Sequence, residues 1–101
     1  MATTTKALFR GAATTTLSTT LYTVPASTTT VVTNIAVANT AATAATFDIS
    51  LDGVKLFDAV ALAADSTAFI DLKQVLATTK IIAGGASAIT VNFHISGVEI
   101  V

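Results

Sequence analysis

His94 is the only histidine of the chain, and imidazole is the side chain whose ordinary pKa suits proton transfer near neutrality. A general base or a metal site needs partners that converge on it. The nearest acid in sequence is Glu99, beyond the interruption at Gly97. His94 is therefore read as a surface or interface residue, whose burial between subunits would make assembly pH-sensitive. Five aspartates, Asp48, Asp52, Asp58, Asp65 and Asp71, offer oxygen ligands, yet a calcium loop needs them closely spaced in one turn. Asp48 falls instead on a strand pattern and Asp52 in the turn after it, and the acids read as solvated. Glycoside chemistry would need two acids across a cleft. Serine is plentiful, but no Gly-x-Ser-x-Gly elbow is present. Gly84-Gly85 lacks the lysine of a phosphate loop and reads as a turn. The sequence thus points to no catalytic residues, no metal and no cofactor.

The elements that must position these residues are strands. In residues 46–57, Phe47, Ile49 and Leu51 alternate with Asp48, Ser50 and Asp52, which sets an apolar face against a polar one. Asp52-Gly53 supplies the two residues that accept positive φ in a type I′ turn. Val54 and Leu56 then resume the alternation. Residues 17–24 put Tyr22 and Val24 opposite Leu21, and Pro25 ends that strand because it cannot donate to a ladder. Residues 30–39 form the longest β-branched run, with Val31, Thr33, Ile35 and Val37 assigned to the core and Val32, Asn34, Ala36 and Ala38 to the other face. Residues 40–43 read as a hairpin loop. Residues 67–72 set Ala68, Ile70 and Leu72 against Phe69 and Asp71. Asp71 followed by Gln74 resembles a capping box, which predicts one helical turn over 72–76. Residues 80–83 form a short strand that Gly84-Gly85 ends. Residues 88–101 place Ile89, Val91, Phe93 and Ile95 inward, with Gly97 as a bulge that can reverse the phase.

Together these predict an all-β chain, a single antiparallel β-sandwich, jelly-roll-like, of about eight strands with one short helical turn. The cysteines and tryptophan that mark immunoglobulin domains are absent. Residues 1–16 form a flexible N-terminal arm containing a short edge strand over 6–10, and residues 17–101 form the sandwich.

Composition narrows the partners. The formal net charge is -1, so there is no basic patch for nucleic acid. No run of about 18 strongly apolar residues predicts a membrane span, and no export signal is visible. Charged residues are only 11% of the chain, against about 25% in an average soluble domain. A surface of alanine, threonine and serine suits burial against neighbouring subunits, where charge is depleted. Lys6, Phe9, Arg10, Tyr22 and His94 are the candidate partner contacts, with Arg10 beside Phe9 suited to a salt bridge or cation–π contact.

The run Leu21-Tyr22-Thr23-Val24-Pro25-Ala26-Ser27-Thr28-Thr29-Thr30-Val31-Val32-Thr33-Asn34-Ile35 resembles a segment common in small tailed-bacteriophage virion proteins. The strand and turn over 47–53, the segment Ile70-Asp71-Leu72-Lys73-Gln74-Val75-Leu76 and the closing His94-Ile95-Ser96-Gly97-Val98-Glu99-Ile100 are similar to the same group. The resemblance implies a non-catalytic structural protein of the virion, assembled in the host cytoplasm. It further implies a capsid decoration or cementing subunit, homotrimeric, bound to the major capsid protein or other virion proteins. A minor tail, tail-tip or fibre-associated protein is the alternative it allows. A glycan- or receptor-binding module is a third reading, and it requires an exposed aromatic platform.

Overall fold

A computed structural model describes residues 2–101. Eight strands follow one another: β1 (Thr3–Ala12), β2 (Thr19–Thr23), β3 (Thr29–Asn39), β4 (Ala45–Leu51), β5 (Val54–Leu62), β6 (Thr67–Leu76), β7 (Ile81–Ala86) and β8 (Val91–Ile100). They form two four-stranded sheets in the orders β1-β8-β3-β6 and β2-β7-β4-β5. The first strand pairs antiparallel with the last, the second with the seventh, the third with the sixth and the fourth with the fifth. This is one long hairpin wound back on itself, and it is the strand order of a jelly roll.

Alternation explains the core. Phe47 and Ile49 of β4 and Phe93 and Ile95 of β8 are fully buried, with Ile35 and Ile82 between them. The Phe47 and Phe93 rings join the two sheets edge to face, centroids 6.4 Å apart. The Asp52-Gly53 turn forms as its residues require, with φ of 54° and 75°. The loop after β3 is held by buried Asn39. Its Nδ2 donates to the Thr43 carbonyl at 2.8 Å, and its Oδ1 accepts from the Ala41 N–H at 3.1 Å.

Several expectations are corrected, and bulges account for most of them. Residues 3–12 are not a loose arm with a short edge strand: they are β1, paired along β8 from Thr3 opposite Ile100 to Ala12 opposite Asn92. A backbone ladder and the burial of Leu8 hold this segment where its small side chains alone would not. The helical turn over 72–76 is absent, because Thr30 to Val32 pair with Gln74 to Leu76 and the strand continues. The Asp71 carboxylate, expected to cap that turn, accepts from Asn34 Nδ2 at 3.2 Å instead. In β3 a register shift at Thr33 reverses the phase, so Val32 is buried and Val31 only half-buried. Ile89 lies before β8 and is 68% exposed.

Gly84 and Gly85 are not a turn. Both lie inside β7, and neither has positive φ. A Cβ on Gly84 would overlap the Asp48 carbonyl oxygen, and one on Gly85 would overlap that of Thr16, with Leu17 Cα at 2.9 Å. Gly97 is likewise no bulge. The irregularities fall on its neighbours, at Leu8 of β1 and Thr33 of β3, and the missing Cβ admits the Val31 carbonyl.

These contacts are with backbone, which cannot swing away, so Gly85→Ala is expected to lose about 1–3 kcal/mol, as overpacking does. For a domain of this size that lowers the melting temperature by roughly 4–8 °C per kcal/mol. Gly11→Ala is the control, since its Cβ would meet only the Phe9 ring at 3.4 Å. Thermal unfolding followed by circular dichroism compares the two. An unchanged melting temperature for Gly85→Ala would refute the close approach.

Candidate functional site

Four of the five candidate contact residues lie on the β1–β8 pair, and the fifth, Tyr22, lies on β2 of the other sheet. Arg10 and His94 are register partners, both exposed on the outer face. Ala36 and then Phe69 continue the same row across β3 and β6. Phe9 turns inward and packs half-buried against the core. Lys6 stands opposite Gly97 and reaches over the Tyr22 ring, with Nζ 5.9 Å from its centroid. Tyr22 is buried, so its ring is used inside the chain.

Lys6 and Tyr22 meet on a residue the sequence reading set apart. Glu99 continues the inward phase of Val91, Phe93 and Ile95 through Gly97, because β8 itself does not bulge. Its carboxylate accepts from the Tyr22 hydroxyl and pairs with Lys6 Nζ at 3.4 Å. The Tyr22 oxygen also lies 3.1 Å from Thr30 Oγ1. The phenol holds the Glu99 carboxyl below its usual range, opposed by burial and aided by Lys6. Burial first, and then the Glu99 carboxylate, raise the Tyr22 phenol. The cluster closes the sandwich between β1 and β2, and its donors and acceptors satisfy one another. The signal for it was the alternation itself, carried without a break to residue 99.

Asp48 is the second correction. It is 3% exposed rather than solvated. Lys55 donates to one carboxylate oxygen, and the Ala59 N–H donates to the other at 3.1 Å. Ala59 has a φ of 48°, a conformation alanine rarely adopts, and this hydrogen bond fixes it at a register shift of β5 opposite β4. Lys55 holds the Asp48 carboxyl below its ordinary value, with burial opposing and Ala59 assisting.

Two shallow hollows flank the Thr33 bulge on the outer face. One is lined by Asp71, Leu72 and Lys73, the other by Lys6, Arg10 and Ser96 among others. Among the described residues, no three acids or histidines cluster as metal ligands would. No family model and no curated protein matches the chain.

The pH dependence follows from these shifts. Asp48 and Glu99 have lowered folded-state values, so the stability they contribute is present above the ordinary carboxylate range near pH 4 and is lost as pH falls through their folded values. The Asp48→Asn variant is expected to melt below the wild type at pH 7, with the gap narrowing as the buffer is taken to about pH 2. Tyr22 is the only tyrosine, so absorbance near 295 nm reports it alone. Its midpoint is expected above the ordinary value near 10 and lower in Glu99→Gln. The stability tied to the protonated phenol is present below about pH 10 and is lost as pH rises through the folded value. A gap that stays constant with pH, or an identical tyrosine midpoint in Glu99→Gln, would refute the respective pairing.

Proposed function

We propose that this chain is a structural subunit of a tailed-bacteriophage virion, a capsid-decorating protein that cements the shell through repeated surface contacts. It acts as a homo-oligomer, with the major capsid protein or another virion protein as its partner. One observation carries the reading: a well-packed fold leaves large apolar side chains exposed on a surface with few charges. Phe69 is 76% exposed and Val54 and Val75 are each 69% exposed. Large apolar side chains left exposed amid few charges are what a partner surface covers. Many weak contacts, multiplied by symmetry, are sufficient for cementing.

The manner of docking is also constrained. Each edge strand, β1, β2, β5 and β6, carries a register shift. Bulged edges resist strand-to-strand addition, so partners meet faces and side chains rather than extend a sheet. The segment over 21–35 that resembles phage virion proteins covers the end of β2 and the first part of β3, and it supplies both wall and core.

Quantitative mass spectrometry of purified phage particles tests the proposal. A shell protein is expected at hundreds of copies per particle, and purified protein added back to particles stripped of it should raise the melting temperature of the shell. A handful of copies would move the protein to the tail. Absence from particles would overturn the virion role.

A further inference from the structure

The outer face of β6 carries a strip of four side chains that the rest of the chain leaves uncovered. Ala68, Ile70, Leu72 and Leu76 turn toward the core, so Phe69, Asp71, Lys73 and Val75 stand together on the other side of the strand, all four exposed. Cross-strand register puts Ala36 beside Phe69 and Val31 beside Val75, which widens both apolar ends of the strip. Asp71 and Lys73 occupy its middle. Among the described residues neither belongs to an ion pair, in contrast to Lys6, Lys55 and Lys80. Asp71 accepts a hydrogen bond from Asn34 on one oxygen and keeps acceptor capacity on the other.

The order of these residues indicates what covers them. Apolar, negative, positive and apolar side chains follow one another at every second position from 69 to 75. Read backwards, the strip is its own complement. A two-fold axis lying between two outer faces, perpendicular to β6 at the level of Leu72, reverses the strand. Position 69 of one copy then faces position 75 of the other, and 71 faces 73, so Phe69 meets Val75 and Asp71 meets Lys73. Each contact occurs twice, as an isologous interface requires. The same rotation sets Val31 against Ala36 on the neighbouring strand and extends the apolar contact. A parallel, in-register alignment would instead oppose Asp71 to Asp71 and Lys73 to Lys73. Four strands about 4.8 Å apart, each of about ten residues rising about 3.3 Å, make a face of roughly 600 Å². Two such faces bury about 1,200 Å², the low end for specific complexes.

From this self-complementarity we infer that the outer face of the β1-β8-β3-β6 sheet, anchored on β6, is a self-association surface that joins two copies of the chain as a two-fold dimer. The inference rests on the reading of the protein as an oligomeric virion subunit and specifies its contact between copies. Faces meet rather than edges, in keeping with the register shift that β6 carries.

Analytical ultracentrifugation of the full-length protein over a concentration series decides it. The wild type is expected to rise from the 10.2 kDa chain mass to twice that value. Asp71→Lys and Lys73→Asp each oppose like charges across the axis and are expected to weaken the dimer about tenfold, with unchanged circular dichroism because both side chains are exposed. Mixed in equal amounts, the two variants are expected to form a heterodimer within about threefold of the wild type, since one strip then carries two cations and the other two anions. Mixing would not rescue a folding defect in either chain. A wild type that stays monomeric up to about 1 mM or assembles as a trimer, or a mixture no tighter than its separate components, overturns the interface. A protein found on particles yet monomeric in solution keeps the virion role and loses this contact. A dimer absent from particles does the reverse.

Discussion

The wrap of the chain depends on backbone meeting backbone where no side chain fits. Gly84 receives the Asp48 carbonyl, Gly85 the segment from Thr14 to Leu17, and Gly97 the Val31 carbonyl. Gly84 and Gly97 sit within ladders, on β7 beside β4 and on β8 beside β3. Gly85 is where the link from β1 to β2 crosses the outside of β7, with the Ala86 N–H donating to the Thr14 carbonyl at 2.9 Å. That crossing carries the chain from one sheet to the other. Without it, β2 could not reach β7, nor the first strand the last. A glycine in a strand interior weakens the strand entropically. Here that cost is offset by a connection that the topology cannot make otherwise.

Two ionic groups, rather than more apolar surface, complete the enclosure. A carboxylate taken out of water is expensive unless it is paired and hydrogen-bonded, and both the buried Asp48 and the half-buried Glu99 meet that condition. Glu99 accepts from a phenol and pairs with a lysine, while Asp48 accepts from a lysine and a backbone N–H. Each acid is also tied to a local irregularity. Glu99 follows the stretch of β8 whose neighbours bulge at Leu8 and Thr33, and Asp48 holds the positive-φ residue of the β5 bulge. No buried side-chain nitrogen or oxygen among the described residues is left without a partner. Asp48 thereby helps fix where β5 changes phase.

This accounts for what was legible in the sequence. Wherever period-two alternation runs unbroken, as over Phe47 to Leu51 or Val91 to Ile95, the face of each residue reads directly, because the pleat alone sets it. The Asp52-Gly53 turn reads equally well, since few residue pairs tolerate its φ values. Bulges have no comparable signature. The one at Thr33 moved Val32 inward, and the assumed one at Gly97 hid Glu99 on the wrong face. Asp71 and Gln74 matched a helix cap locally, but a ladder with β3 was available and prevailed. The glycine pair invited a turn because close approach and positive φ call for the same residue. The candidate contacts were half legible: Arg10 and His94 do share the outer face, whereas Tyr22 is buried and bonded to Glu99, a residue that unbroken alternation across Gly97 would have placed inward.

The scarcity of charge takes on a specific meaning in this light. Lys6 is paired with Glu99, Lys55 with Asp48 and Asp58, and Lys80 with Asp52, so most ionic groups are neutralised within one copy. What keeps the outer surface wet is largely threonine and serine hydroxyls, which are cheap to desolvate compared with ions. A surface of that kind can be covered by another protein without stranding a charge. Edges that are all bulged exclude the open-ended sheet growth to which such a low-charge β protein would otherwise be prone. Phe69, Val54 and Val75 are among the large apolar side chains that these constraints leave exposed. Low charge and blunted edges together leave a surface that another protein could cover without stranding an ion or extending a sheet.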